Sequence, residues 1–507
     1  MDTVISQTLM GISDLQTGLE YISRLPLANP QQAHIELKHF LDSLLKTPPL
    51  VDVYLELLEQ LRPSLCFIEE ELARNYVNKP LPLGAIEEDC FRQVTLVWIK
   101  MARSYARCAK LVTAAKGHEN PSQVALILHR CIYYSGMALV EHHRARRELP
   151  PGLWLDLHGY YASAERRGVA TLAVPDALDP LERSTHCASA FLCLLLSELA
   201  SPYSLSVRDQ NLVRHWASSW SPMVSLRPVL PGESLPPSVI DLTQNVGLCS
   251  AANCRQTESL RRLDTSRLAD HLKQIRQQLN QKVPPAKIGL GEGCTARQCR
   301  RLLGQLSHPW SQARAPRKFQ RRSTSGNAKL GIGFEATYYY ISGKKFSQPE
   351  NENLDAPLEF ESASQVAEKA RQAEMYHEQV GLVSDQWEIV NQSANGFRLK
   401  CSTVGKQVAY GQSMAVCPHD GKRFLLAQAV WLMQMREGGL IAGVAVLPGM
   451  PQPVAVRPVS RGEGREETYS RAFMLQPAAL SEAEPSLVIP QGWYRTDRVI
   501  EISADSV

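Results

Sequence analysis

Surplus charge, aromatic residues and long apolar runs are all scarce in this 507-residue chain, and each scarcity removes a class of function. The formal net charge is only +4, so no global field attracts nucleic acid or an anionic membrane, and any electrostatic function must be local. The most apolar stretch, Phe191 to Leu199, is too short to cross a bilayer. The opening residues MDTVISQTLMGISDLQTG lack the basic segment and apolar stretch of a secretory leader. A cytoplasmic protein with no membrane partner is expected. Twelve cysteines are ordinary for this length and show no repeated spacing, and Cys108, Cys131 and Cys193 sit in apolar, helix-like segments. They are read as reduced thiols. No nucleophile elbow, Walker loop, metal-hydrolase helix or paired-carboxylate motif stands out, so no catalytic residue is assigned and no enzyme is expected.

What the chain does have is enough apolar material, 44% of residues, for two to four cores. From about 30 to 200 the apolar residues recur at helical spacing, as at Phe91, Val94, Trp98, Met101, Tyr105 and Cys108. Asn29-Pro30, Asn120-Pro121 and Asp179-Pro180 each read as a capped helix start. Trp154, Leu157, Tyr161 and Ala170 approach the spacing of a tetratricopeptide hairpin, although His158 stands where a small residue belongs and no second copy follows. Between 205 and 313 strand-like Met223 to Leu230 and Ser238 to Leu242 precede a charged helix near Thr265 to Gln281. After the basic stretch SQARAPRKFQRR the period becomes two. Leu330 to Tyr340 then reads as one strand, and further strands are expected at 387–390, 397–401, 408–417, 423–435, 440–447 and 454–459. Segment 346–385 reads as an insertion. The expected class is multidomain α+β: a mainly helical region 1–204, an α+β connecting domain 205–313, an antiparallel barrel 314–460 and an appended β segment 461–507, with strands at 486–489 and 499–502.

Two short motifs carry function. The arm 314–322 holds Arg314, Arg317, Lys318, Arg321 and Arg322 with no acidic residue, and Asn391 to Gly396, NQSANG, forms a polar turn followed at once by a strand. Singly, these are a solvated linker and an ordinary hairpin turn. Together, in this order and beside barrel strands, RKFQR and NQSANG resemble the RxxxR and D/N-x-S-x-x-G signatures of the PilZ family. That resemblance implies a six-residue ligand set for cyclic di-GMP: Arg317, Arg321, Arg322 in reserve, Asn391, Ser393 and Gly396. Arginine forks suit the guanine O6/N7 edge or a phosphate, Asn391 and Ser393 would face a guanine edge, and Gly396 would permit close approach. Asn391 replaces the family's usual aspartate and offers one acceptor oxygen instead of two. The gap of about seventy residues between Arg321 and Asn391 is long for the family and accounted for by the insertion. The resemblance implies a receptor that couples ligand binding to an unidentified protein partner of the helical region.

Other features are assigned to structure. Gly289 to Gly293 lacks the Lys-Ser/Thr pair of a phosphate loop, and Thr295 with Gln298 reads as a capping box. Cys249, Cys254, Cys294 and Cys299 have the wide spacing of two C-x4-C pairs and a helical setting, so no metal is assigned. His142-His143 with Arg144, Arg146 and Arg147 reads as a basic helix end. Two alternatives remain: a helical adaptor whose degenerate barrel binds no nucleotide, and a weaker reading in which the arm and Tyr338 to Tyr340 grip nucleic acid.

Overall fold

The computed structural model describes residues 14–114, 120–179, 184–255, 257–313, 319–349, 384–403, 405–459, 468–477, 484–495 and 498–503. The chain divides into two compact units, Met1–Lys79 with Leu83–Pro316, and Pro80–Pro82 with Arg317–Val507.

The first unit is built on helices α1 (Leu15–Ser23), α2 (Pro30–Lys46), α3 (Val51–Ala73), α4 (Ala85–Ala114), α5 (Pro121–Arg144), α6 (Leu153–Arg166), α7 (Cys187–Leu199) and α8 (Val207–Trp220). Asn29 and Asn120 cap α2 and α5 as read from sequence, each accepting a backbone N–H while proline fills the first turn. The third expected start, at Asp179-Pro180, runs into residues outside the described set, and the next described helix, α7, begins at Cys187 with His186 as its cap. The six apolar residues from Phe91 to Cys108 are all buried along α4. Ala170 falls beyond the end of α6, so the tetratricopeptide-like spacing there does not run through one helix. α5 is long and apolar enough to cross a bilayer, but most of it is buried in this unit.

Buried charge also ties these helices together. Arg62 on α3 and Arg130 on α5, each about 1% exposed, converge on Glu59, and Arg62 also reaches Asp176 at 2.6 Å and the Tyr134 hydroxyl at 2.9 Å. Burial alone would raise the Glu59 carboxyl, but hydrogen bonds from Arg130 and the nearby charge of Arg62 more than reverse it, holding it below the usual range. The basic end of α5 is likewise inside. His142, His143, Arg144 and Arg146 are buried, with Arg144 paired to Glu70 and Glu141. A sequence reading of helix-end charge missed the Glu70 partner because it comes from α3.

The same unit continues into a four-stranded antiparallel sheet, ordered β1 (Ser225–Pro228), β4 (Leu260–Asp264), β2 (Ser238–Asp241), β3 (Cys249–Ser250), with helices α9 (Ser266–Asn280) and α10 (Ala296–Trp310). Thr295 caps α10 by accepting the Gln298 N–H at 3.2 Å. The reading of uniformly reduced thiols is corrected at one place. Cys294 and Cys299 meet across the start of α10 as a disulfide.

In the second unit, strands β5 (Asn327–Ile332), β6 (Asp385–Ser393), β7 (Gly396–Cys401), β8 (Ser413–Pro418), β9 (Leu425–Gln434) and β10 (Leu440–Val446) close an antiparallel barrel in the order β10-β7-β6-β5-β8-β9. Val408 lies outside β8 and pairs instead with Leu81. A second, four-stranded sheet follows: β13 (Ser486–Val488), β12 (Ser470–Gln476), β11 (Met450–Pro458) and β14 (Ile500–Ser503). Of the insertion expected at 346–385, residues 350–383 lie outside the described residues.

The expected strand from Leu330 to Tyr340 is half right. β5 ends at Ile332, and after Gly333, at φ +95°, the chain turns into helix α11 (Phe334–Ser342). Phe334, Ala336, Tyr338 and Tyr340 alternate as a strand would, while Phe334, Tyr338 and Ile341, spaced by four and three, also share one helical face. Packing decides between them. Tyr338 is buried with Leu426, Phe473 and Leu475, and Phe334 and Ile341 pack on the same cluster, which joins barrel, helix and second sheet. Tyr338→Ala is expected to destabilise this unit by about 3–5 kcal/mol, the usual loss for an aromatic cut from a core, read from denaturant unfolding.

Candidate functional site

The β6–β7 hairpin is shaped by one extra residue. Ile389 pairs with Leu399, but the next pair is Asn391 with Arg398, so Val390 is a bulge. Ile389 and Leu399 point into the barrel, both essentially buried. Without the bulge, Asn391 would share that inner face, two residues on. With it, Asn391 pairs opposite Arg398 on the outer face, and Ser393 pairs opposite Gly396 on the same side. The polar residues of the turn are therefore turned out of the core.

The basic arm ends beside them. The Arg322 N–H donates to the Gln392 carbonyl at 2.8 Å, and the Gln392 N–H returns a bond to the Arg322 carbonyl at 3.0 Å. Gln392 stands between Asn391 and Ser393. Arg322 shares the face of Gln392, and in an extended segment its neighbour Arg321 projects to the other face, that of Asn391 and Ser393. Both arginines are exposed, whereas Arg317 lies outside the described residues. Two sequence segments about seventy residues apart are thus brought into one place.

Gly396 answers a steric demand. A Cβ there would lie 2.1 Å from the Val444 carbonyl oxygen of β10, so only glycine lets the two strands approach as they do. The Ser393 hydroxyl donates to the Gly396 carbonyl at 3.4 Å, and the Asn391 amide has no hydrogen-bond partner among the described residues.

Sequence reasoning missed two neighbours. Across the barrel surface Asn391, Arg398, Gly443 and Trp431 form one row, each paired with the next through β6, β7, β10 and β9. The indole of Trp431 lies over Gly443, where an added Cβ would come within 1.8 Å of it, and the Arg398 guanidinium sits 5.6 Å from the Trp431 ring. Arg398 Nε is buried with no hydrogen-bond partner. Positions 398, 431 and 443 share no motif, and only barrel closure makes them adjacent.

The site thus offers arginine forks, an unspent amide, a hydroxyl and a flat aromatic shelf. Comparison with known proteins bears on what this arrangement is. Three family models match in series: the N-terminal domain of the cyclic-di-GMP receptor FimW at 17–232, its middle PilZ domain at 248–380, and the FimW C-terminal beta-barrel domain at 454–506. The chain is a PilZ-domain protein. A curated relative, the cyclic-di-GMP receptor FimW of Pseudomonas aeruginosa, is 25% identical over 92% of this chain and 82% of its own length. No solved structure matches the chain.

The match to the PilZ domain takes in the arm and β5 and stops before the Asn391 turn, while the closed barrel of this structure runs from Asn327 to Val446. The match described as a C-terminal barrel falls on the second, four-stranded sheet. The arm and turn that prompted the PilZ resemblance are the two segments that the Arg322–Gln392 pair joins. Gly396→Ala is expected to force β7 off β10 and to cost about 1–3 kcal/mol, as for other overpacked sites, measured by denaturant unfolding.

Proposed function

We propose that this chain is a cyclic di-GMP receptor whose ligand lies on the outer face of the barrel, between the arm and the Asn391–Gly396 turn. The observation that carries the reading is the paired Arg322–Gln392 backbone, which ends the arm beside Asn391 and Ser393. Cyclic di-GMP presents two guanines and two phosphates. Arg317 and Arg321 can each fork onto a guanine O6/N7 edge or a phosphate, and Asn391 and Ser393 can meet a guanine edge with both donors and acceptors. Trp431 supplies a ring on which a base can stack, and Arg398 a further cation beside it. The name of the Pseudomonas relative agrees with this ligand.

On this reading the protein is a non-enzymatic cytoplasmic receptor and the helical region binds a protein partner. The arm is also the covalent joint between the helical part and the barrel, so ordering it around a ligand is the step that would carry the signal.

Calorimetry on the full-length protein tests the reading. Cyclic di-GMP should bind with micromolar or tighter affinity and in clear preference to linear pGpG and GTP. Arg317→Ala with Arg321→Ala should weaken binding at least about 100-fold, since each charged hydrogen-bonding group contributes roughly 1.5–3 kcal/mol. Trp431→Ala should weaken it roughly tenfold, within the range for one base-stacking contact. No binding by a folded native protein would leave the barrel as a protein-contact module.

A further inference from the structure

The helical unit contains a cavity of about 630 Å³ between α5, α7 and α8, in the size range of ligand clefts. Along α8 it is lined by Asn211, Arg214, His215 and Ser218. Their spacing of three, one and three residues keeps them on one face of the helix, over a length of about 10 Å. None of these four side chains has a hydrogen-bond or ion-pair partner among the described residues, and the Tyr133 hydroxyl, also in the lining, has none either.

The other ionisable groups of the lining include Asp179, which has a contact of its own and is not free, together with Asp176 and His129. Asp176 is held by Arg62 at 2.6 Å. His129 lies 3.0 Å from the Arg130 guanidinium through Nδ1 and 3.3 Å from the Thr185 hydroxyl through Nε2, and burial together with the Arg130 charge pushes its pKa down to about 3, so the ring is neutral. Arg214 is half-buried and makes no ion pair within 4 Å among the described residues, although its charge acts on buried Glu141 and offsets part of what burial does to that carboxyl. Ile132, Met137 and Leu194 give the same cavity an apolar part.

We infer that this cavity binds a short acidic peptide segment of a partner protein, with one carboxylate on Arg214 and a neighbouring apolar side chain against the apolar lining. A lone small anion would use Arg214 and leave the rest of the α8 row idle. A row of donors about 10 Å long matches about three residues of extended chain at roughly 3.3 Å each, whose carbonyls can accept from Asn211, Ser218 and Tyr133. A half-buried arginine recovers its desolvation cost only when a carboxylate pairs with it. The inference does not depend on what the barrel binds.

The test is selection from a positional library of N-acetylated tetrapeptide amides on the full-length protein, read by mass spectrometry, followed by calorimetry of the best peptide. Peptides with Asp or Glu beside Leu, Ile or Phe should be enriched, and affinity should fall at least tenfold in Arg214→Gln. Ser218→Trp, at an exposed position, should block the cavity equally while keeping native helicity and melting temperature. It carries the test should Arg214→Gln fail to fold. Absence of enrichment for acidic residues, equal retention by Ser218→Trp, or competition by millimolar inorganic phosphate as effective as the peptide itself would overturn the assignment.

Discussion

The bulge at Val390 is the constraint on which the barrel's outer site depends. Side chains in a strand alternate between two faces, so the inward packing of Trp387 and Ile389 would commit Asn391 to the core as well. A buried amide there would need partners that an apolar barrel interior does not supply. One extra residue changes the parity at the point where the sequence passes from apolar to polar, and places Asn391, Ser393, Arg398 and Gly396 on one side. A second register shift, between Gly443 and Val444 opposite β9, falls next to Trp431 in the same row. Both irregularities lie beside the proposed ligand surface, where a regular ladder would aim different side chains outward.

The helical unit solves a different problem with charge. Arg62 and Arg130 are almost wholly buried and share Glu59, an arrangement whose desolvation cost is offset only because several of the guanidinium and carboxylate positions find partners, including Asp176, Tyr134 and Tyr105. Such a cluster adds little net stability over a well-packed apolar core, but removing one member leaves the others buried and unpaired. It therefore fixes which helices lie together more than how firmly they do so. Asp176 also lines the cavity beside α8, whose row of polar side chains has no such partners among the described residues.

Much of this was legible in the chain, and the failures share a cause. The helical period from 30 to 200, the asparagine-proline caps and most of the short strands after 385 are local signals and appear where the spacing placed them, while the strand expected from Val408 starts only at Ser413. The Arg and Asn-Ser-Gly motifs were legible too, though not their meeting, which rests on backbone bonds between Arg322 and Gln392. Phe334 to Ile341 satisfied two periods at once, and the choice of helix was made by Phe473 and Leu475, more than 130 residues downstream. Arg398 and Trp431 carried no signal at all, because an arginine and a tryptophan on separate strands become a pair only when β10 is laid between β7 and β9.

The same row bears on the departure at Asn391, where the PilZ signature more often has aspartate. Asn391 and Arg398 are directly opposed across β6 and β7. An aspartate in that position would face a guanidinium at cross-strand distance, and opposite charges so placed attract. The carboxylate would then be divided between Arg398 and a ligand, and Arg398 would be partly neutralised. Asparagine offers one fewer acceptor to a guanine, but it carries no charge and so leaves the charge of Arg398 unneutralised. For the proposed ligand, with its two phosphates, an arginine beside an aromatic ring would offset the lost carboxylate oxygen. On the proposed reading, asparagine at this position would move recognition from the guanine edge toward the phosphate, within the same four-residue row.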